Sequence, residues 1–251
     1  MPKWVRIWVR FGAVVVLSGI YLSFFGVQTF FILKAHQMAR KVPTVAILPV
    51  ELTELDVSKA SGKKLSYLGY EFEIPWEDID EKESHIAGNE VLIPFHSGNS
   101  ILLHVVPAQD LIKELPLDQR RSRELFQQLH GEEVLNSDYA LRKAILETTP
   151  GRITLLTSRE DARSLSMVLA IKAMMAPLRD SVIYSIRSND FQGFQFGAPQ
   201  RRPKKMAVEL YADDGELEFD FSQKQEGPTP AIAQAEINRI IQTTRKAPES
   251  R

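Results

Sequence analysis

Two histidines come closest to offering chemistry. His96 and His104 bound the stretch "HSGNSILLH", and imidazoles that converge on one point can hold a metal ion or move a proton. With Gly98 and Asn99 as the two turn residues of a hairpin, His96 pairs with Ile101 and Ile93 with His104. Alternating side chains then put the two rings on opposite faces, where they cannot share an ion. Each is expected as a half-buried histidine with one hydrogen-bond partner. An enzyme built on this chain would use His96 or His104 singly, with a nearby acid.

The acidic run "EFEIPWEDIDEKE" carries Glu71, Glu73, Glu77, Asp78, Asp80, Glu81 and Glu83. Asp78 and Asp80 begin the alternate-acid pattern of a calcium loop, but no glycine follows where the loop must turn. The run reads as a solvated loop. His130 and Glu132 have the H-x-E spacing of a zinc deaminase, yet the chain has no cysteine to complete that site. The same absence removes disulfides, thiolate metal sites and cysteine nucleophiles. There is no G-x-S-x-G elbow, H-E-x-x-H, P-loop or G-x-G-x-x-G, so neither a metal nor a cofactor is called for.

What remains are charged surfaces. "QRRPKK" places Arg201, Arg202, Lys204 and Lys205 in one compact basic loop, where each charge near anionic headgroups gains about 1 kcal/mol. Without interleaved aromatics it does not suggest base stacking, so nucleic acid is not an expected partner. "AVELYADDGELEFDF" is an alternating pair of strands. With Asp214 and Gly215 as the turn, Val208, Leu210, Ala212, Leu217, Phe219 and Phe221 share one face. Glu209, Tyr211, Glu218 and Asp220 share the other, with Glu209 opposite Asp220. Facing carboxylates cost stability, so this face is the second candidate for binding a basic partner or cation.

Other elements must position these residues. "YLGYEFEIPW" alternates as a strand, and "SVIYSIRS" and "FQGFQFG" are two more, Gly193 marking a bulge or a close backbone approach. Between them lies a helical block. Leu125, Phe126 and Leu129 stripe the first helix, and Ser137 caps the second, whose inner residues are Leu141, Ala144 and Ile145. Ser158 caps the third. From Leu165 to Ala176 that third helix is apolar nearly all round but too short to span a bilayer, so it reads as a buried central helix. Thr229 and Pro230 open a last helix with Ile232, Ile237, Ile240 and Ile241 inward.

The N-terminal part is different in kind. The chain has 31 basic and 32 acidic side chains, and six of the bases but none of the acids fall within residues 1–41. The rest therefore carries a net charge of −7. Residues 11–33 hold no charge at all. As a helix they run about 34 Å, against about 30 Å of hydrocarbon core. Trp4 and Trp8 stand among Lys3, Arg6 and Arg10, as at a headgroup layer. The apolar run exceeds that of an export signal and lacks a small-x-small cleavage site, so a retained single-pass helix is expected.

"GYEFEIPWEDID", "FHSGNSILLHV", "GFQFGAP" and "QAEINRIIQ" resemble a group of uncharacterised membrane-anchored bacterial proteins. The order of elements is also similar to PsbP/Mog1-like domains. That resemblance implies an antiparallel sheet packed by helices and a binding or assembly role, with no catalytic residue to carry over.

The expected fold is α+β: an N-terminal transmembrane helix, then a mostly antiparallel sheet packed against helices. Its parts would be a basic head at 1–10, the helix at 11–33, a linker at 34–64, the domain at 65–245 and a tail at 246–251. The expected function is a non-catalytic interaction or ligand-binding domain of the bacterial envelope. It would be held in the lipid bilayer of the inner membrane through 11–33, face the extracytoplasmic side and meet another envelope protein. A cytoplasm-facing regulatory domain is the alternative if the orientation is reversed.

Overall fold

The computed structural model describes residues 3–52, 62–108, 120–175, 182–188, 190–199, 205–212, 215–222 and 232–248, without the side chains of 3–16, 20, 120–122 and 205. Its helices are α1 (Lys3–Lys41), α2 (Arg120–His130), α3 (Asp138–Glu147), α4 (Arg159–Met175) and α5 (Gln234–Thr243). Strands β1 (Val50–Glu51), β7 (Ile183–Arg187), β8 (Gln192–Phe196), β9 (Lys205–Ala212), β10 (Gly215–Ser222), β6 (Ser100–Pro107), β5 (Glu90–Pro94) and β4 (His85–Ala87) form one sheet in that spatial order. A second sheet lays β11 (Arg245–Lys246), β3 (Tyr70–Ile74) and β2 (Lys63–Tyr67) side by side. Among the described residues every pairing is antiparallel except β1 with β7. The α+β reading with a mostly antiparallel sheet on helices therefore holds.

Each face of the large sheet carries an apolar cluster, although on one of them β10 presents Glu216, Glu218 and Asp220 instead. One face sends Leu103, Val208, Leu210, Phe219 and Phe221 into a core with Phe72 of the small sheet and Ile237, Ile240 and Ile241 of α5. The other sends Phe194, Phe196 and Tyr211 against Leu146 and Tyr139 of α3. Ser137 caps α3 by accepting the Ala140 N–H (3.1 Å), and Ser158 caps α4 by accepting the Asp161 N–H (3.1 Å), as the sequence suggests. Burial of Leu165, Val168, Leu169 and Ile171 makes α4 the central helix expected.

The N-terminal helix needs correction. Among the described residues no helix is long and apolar enough to cross a membrane, which overturns the transmembrane helix expected over 11–33. The side chains of 11–16 and 20 lie outside the described residues. Packing supplies the physical reason for the difference. The helix does not stop at Leu33 but runs on through Lys34, Arg40 and Lys41. Its later turns dock on the domain: Ala35 is buried, and Phe31, Ile32 and Met38 pack beside Leu125, Ile153, Leu165 and Leu169. Segment 34–64 is thus no bare linker. It holds the docked end of α1 and the strand β1.

Two hairpin registers also differ. Ile93 pairs with Ile101 and Glu90 with His104, rather than Ile93 with His104. The turn is wider than two residues: the Phe95 N–H donates to the Asn99 carbonyl (3.0 Å), leaving His96 outside the ladder. In the second hairpin Glu209 faces Glu218, and Asp220 faces Ala207. That slip of two residues leaves every side chain on its expected face. Asp213 and Asp214 of that turn, and Thr229 and Pro230, lie outside the described residues. The last helix begins at Gln234, with the Glu236 carboxylate accepting the Ala233 N–H (2.7 Å).

Candidate functional site

The acidic strand face is less open than its pattern suggests. Glu209 is 3% exposed and Tyr211 6%, because α3 lies over β8 and β9. This corrects their expected place on a free binding surface. Arg142 of α3 reaches down and donates from Nε (2.7 Å) and Nη2 to the two oxygens of Glu209, while the Tyr211 hydroxyl donates to Oε2 (2.9 Å). The guanidinium also lies 5.6 Å from the centre of the Phe196 ring. Burial alone would lower the Arg142 pKa, but the Glu209 carboxylate outweighs it and keeps the group charged. Burial raises the Tyr211 pKa well above its usual value.

At the uncovered edge of this network the strip continues as Glu216 and Glu218, both half-buried, and exposed Asp220. Burial, then the nearby Glu209 charge, pushes Glu216 up to about 8. The same two causes, with Asp220 added, push Glu218 up to about 7. Arg142 thus neutralises the buried Glu209 at one side of a carboxylate-rich patch. Among the described residues no group of three acidic or histidine side chains is arranged to hold a metal.

The histidines do not build a centre. His104 is half-buried beside Asn89, whose Nδ2 lies 2.7 Å from its Nε2, which is the single partner expected of it. His96 lies on the exposed turn with Nδ1 3.4 Å from Asp80 Oδ2. Asp78 and Asp80 are partly structural: Asp78 accepts the Ser97 N–H (2.8 Å) and Asp80 the Lys82 N–H (3.2 Å). His130 packs at 5.9 Å from the Phe126 ring, and burial lowers its pKa. Of the basic loop, Arg201, Arg202 and Lys204 lie outside the described residues. Lys205 opens β9 opposite Ser222, its side chain likewise not described.

A cleft that no motif announces opens where the strands end. It encloses about 890 Å³ between the N-terminus of α3, the ends of β7 to β10 and strand β11. Tyr139 forms part of its wall, stacked on Phe194 at 5.4 Å and 5.9 Å from Tyr211. Arg187, Arg245 and Lys246 bring positive charge, and Asp138 and Asp190 negative charge. Arg245 is held by Glu71 through Nε (3.0 Å) and Nη2 (2.7 Å). Arg187 is exposed and has no hydrogen bond or ion pair among the described residues. Two smaller hollows adjoin, of about 520 Å³ beside Asp190 and Arg245 and about 390 Å³ beside Tyr139 and Arg187.

The cleft offers charged and aromatic side chains to a ligand. Both of its serines serve the backbone, Ser137 as the α3 cap and Ser188 by accepting the Phe191 N–H (3.2 Å). No histidine lies among its described lining residues. Sequence reasoning missed it because its walls come from distant segments, and residues such as Arg187 and Tyr139 carry no local signature. No protein family, curated protein or solved structure matches the chain.

Proposed function

We propose that the chain is a non-catalytic interaction or ligand-binding domain working at the bacterial envelope, on its extracytoplasmic side, with another envelope protein as partner. The observation that carries the binding role is the cleft at the strand ends. A cationic side chain with no partner among the described residues, Arg187, stands there beside the stacked Tyr139. Pockets of this kind, with a few convergent polar groups over aromatic walls, are where ligands and partner side chains seat. The acid-free, tryptophan-flanked N-terminal stretch supports work next to a membrane, and the resemblance to membrane-anchored and PsbP/Mog1-like proteins supports binding rather than turnover. The cleft's charge balance favours a partner that presents a carboxylate to Arg187 and an apolar or aromatic group to Tyr139.

The test places a photo-crosslinking residue at Gln192, exposed on the cleft rim, in living cells. A discrete adduct that Arg187→Glu abolishes is expected. Absence of any adduct at Gln192 overturns the docking role. Fusions of alkaline phosphatase and of a fluorescent protein to the C-terminus report the side. Active phosphatase with a dark fluorescent partner is the outcome expected, and the reverse moves the domain to the cytoplasm.

A further inference from the structure

The turn between Ile153 and α4 breaks a rule that surface turns normally keep. Its two central residues are Leu155 and Leu156, where glycine, asparagine or aspartate is usual, and Leu156 is 93% exposed. The turn is also held in place. The Thr154 N–H donates to Thr157 Oγ1 (2.9 Å), the Thr157 N–H to the Thr154 carbonyl (3.2 Å) and the Leu156 N–H to Thr154 Oγ1 (3.3 Å). Two threonines thus satisfy the backbone while both leucines face out. Exposed Arg152 and Arg159 stand on either side of the tip.

Its position is defined by α4. Ile153, Ala162 and Leu165 share one apolar cluster with Phe31, Ile32 and Ala35 of α1, while Lys172, further along α4, reaches the Ile47 carbonyl beyond the end of α1 (2.7 Å). The two helices therefore run in the same direction. The tip, at the start of α4, lies at the end where α1 leaves the domain. There Phe30 and Leu33 of α1 are 60% and 64% exposed. Apolar side chains at one end of the molecule with flanking arginines match the layering of a lipid interface, with anionic headgroups above and acyl chains below.

We propose that Leu155 and Leu156 insert into the surface of an anionic bilayer, with Arg152 and Arg159 at its headgroups, and so fix how the domain stands on the membrane. This rests on the membrane-side part of the function proposed above. The chain has no cysteine, so a single Leu156→Cys in the full chain can carry an environment-sensitive fluorophore. Lys63→Cys, in the small sheet on the far side of the large one, is its control. The probe system is vesicles of phosphatidylcholine with or without phosphatidylglycerol, read by flotation and by emission with nitroxide-lipid quenching.

A blue-shifted, quenchable signal from position 156 and not from 63, on anionic vesicles, is expected. In unlabelled chains, Leu155→Ser with Leu156→Ser should weaken flotation about tenfold. Arg152→Glu with Arg159→Glu should remove the preference for anionic lipid. Flotation with an aqueous signal at 156 overturns the tip and leaves the membrane-side reading intact. No flotation overturns both. An equal signal on purely zwitterionic vesicles overturns the anionic requirement, and a blue shift without vesicles assigns the tip to a second copy of the chain instead.

Discussion

Lys172 offers the sharpest test of how this domain is held together. It is completely buried in α4, and its Nζ donates to the carbonyls of Ile47 (2.7 Å), Leu146 (2.5 Å) and Thr148 (3.0 Å). One ammonium thus joins the end of α3 to the segment that follows α1. Lys172→Met keeps the length of the side chain and removes the donor. Three charge-assisted bonds at about 1.5–3 kcal/mol each are lost. Against this stands the cost of burying the charge, since burial lowers the Lys172 pKa from 10.5 to about 8, roughly 3 kcal/mol at about 1.4 kcal/mol per unit. The net expectation is destabilisation of about 1.5–6 kcal/mol near pH 7. Urea unfolding, followed by far-UV circular dichroism, measures it.

The pH dependence supplies an independent check. A lysine whose folded pKa is depressed binds its proton less readily in the native state than in the unfolded chain. Between pH 8 and 10 the unfolded chain therefore holds more protons at this site, and wild-type stability gains up to about 1.4 kcal/mol per pH unit. The variant should lack that rise. Parallel profiles for wild type and Lys172→Met across this window, or an unchanged midpoint at pH 7, would refute the reasoning.

Three further perturbations follow from the same geometry. Glu209→Gln leaves the Arg142 charge buried without its carboxylate and should cost about 3–5 kcal/mol in urea unfolding; a loss below 1 kcal/mol would mean that water reaches the pair. Glu216 and Glu218 have raised pKa values, so the stability they contribute is fully present below about pH 4.5 and is lost as pH rises through 7 to 8. Replacing both with glutamine should stabilise the protein at pH 8.5 by about 1–3 kcal/mol after solvent screening and leave pH 4.5 unchanged, as thermal melts at the two pH values will show. A Cβ at Gly193 would collide with the Glu209 carbonyl of the neighbouring strand, so Gly193→Ala should cost about 1–3 kcal/mol and speed amide exchange along β8 and β9; unchanged exchange there would contradict the close approach.

Much of the architecture was legible from local pattern. Period-2 alternation sorted the residues of β9 and β10 onto their correct faces, since side-chain direction along a strand depends only on parity. Ser137 and Ser158 marked the starts of α3 and α4, because a cap needs only one side-chain oxygen near its own backbone. Gly193 pointed to a close approach. Registers were less accessible. Whether Ile93 faces Ile101 or His104 depends on the width of a turn, and glycine and asparagine at 98 and 99 are compatible with several widths.

Tertiary structure alone decided the rest. A charge-free run at 11–33 is a local property of the chain, whereas the docking of Phe31, Ile32, Ala35 and Met38 on α4 depends on residues more than a hundred positions away. Glu209 and Tyr211 alternate as if for solvent. They are buried because Arg142, on a separate helix, supplies the charge and donors that make burial affordable. The cleft around Arg187 and Tyr139 exists only where α3, β7 and β11 meet. Sequence by itself determined which residues can share a face; the packing of distant segments determined which of those faces meets water.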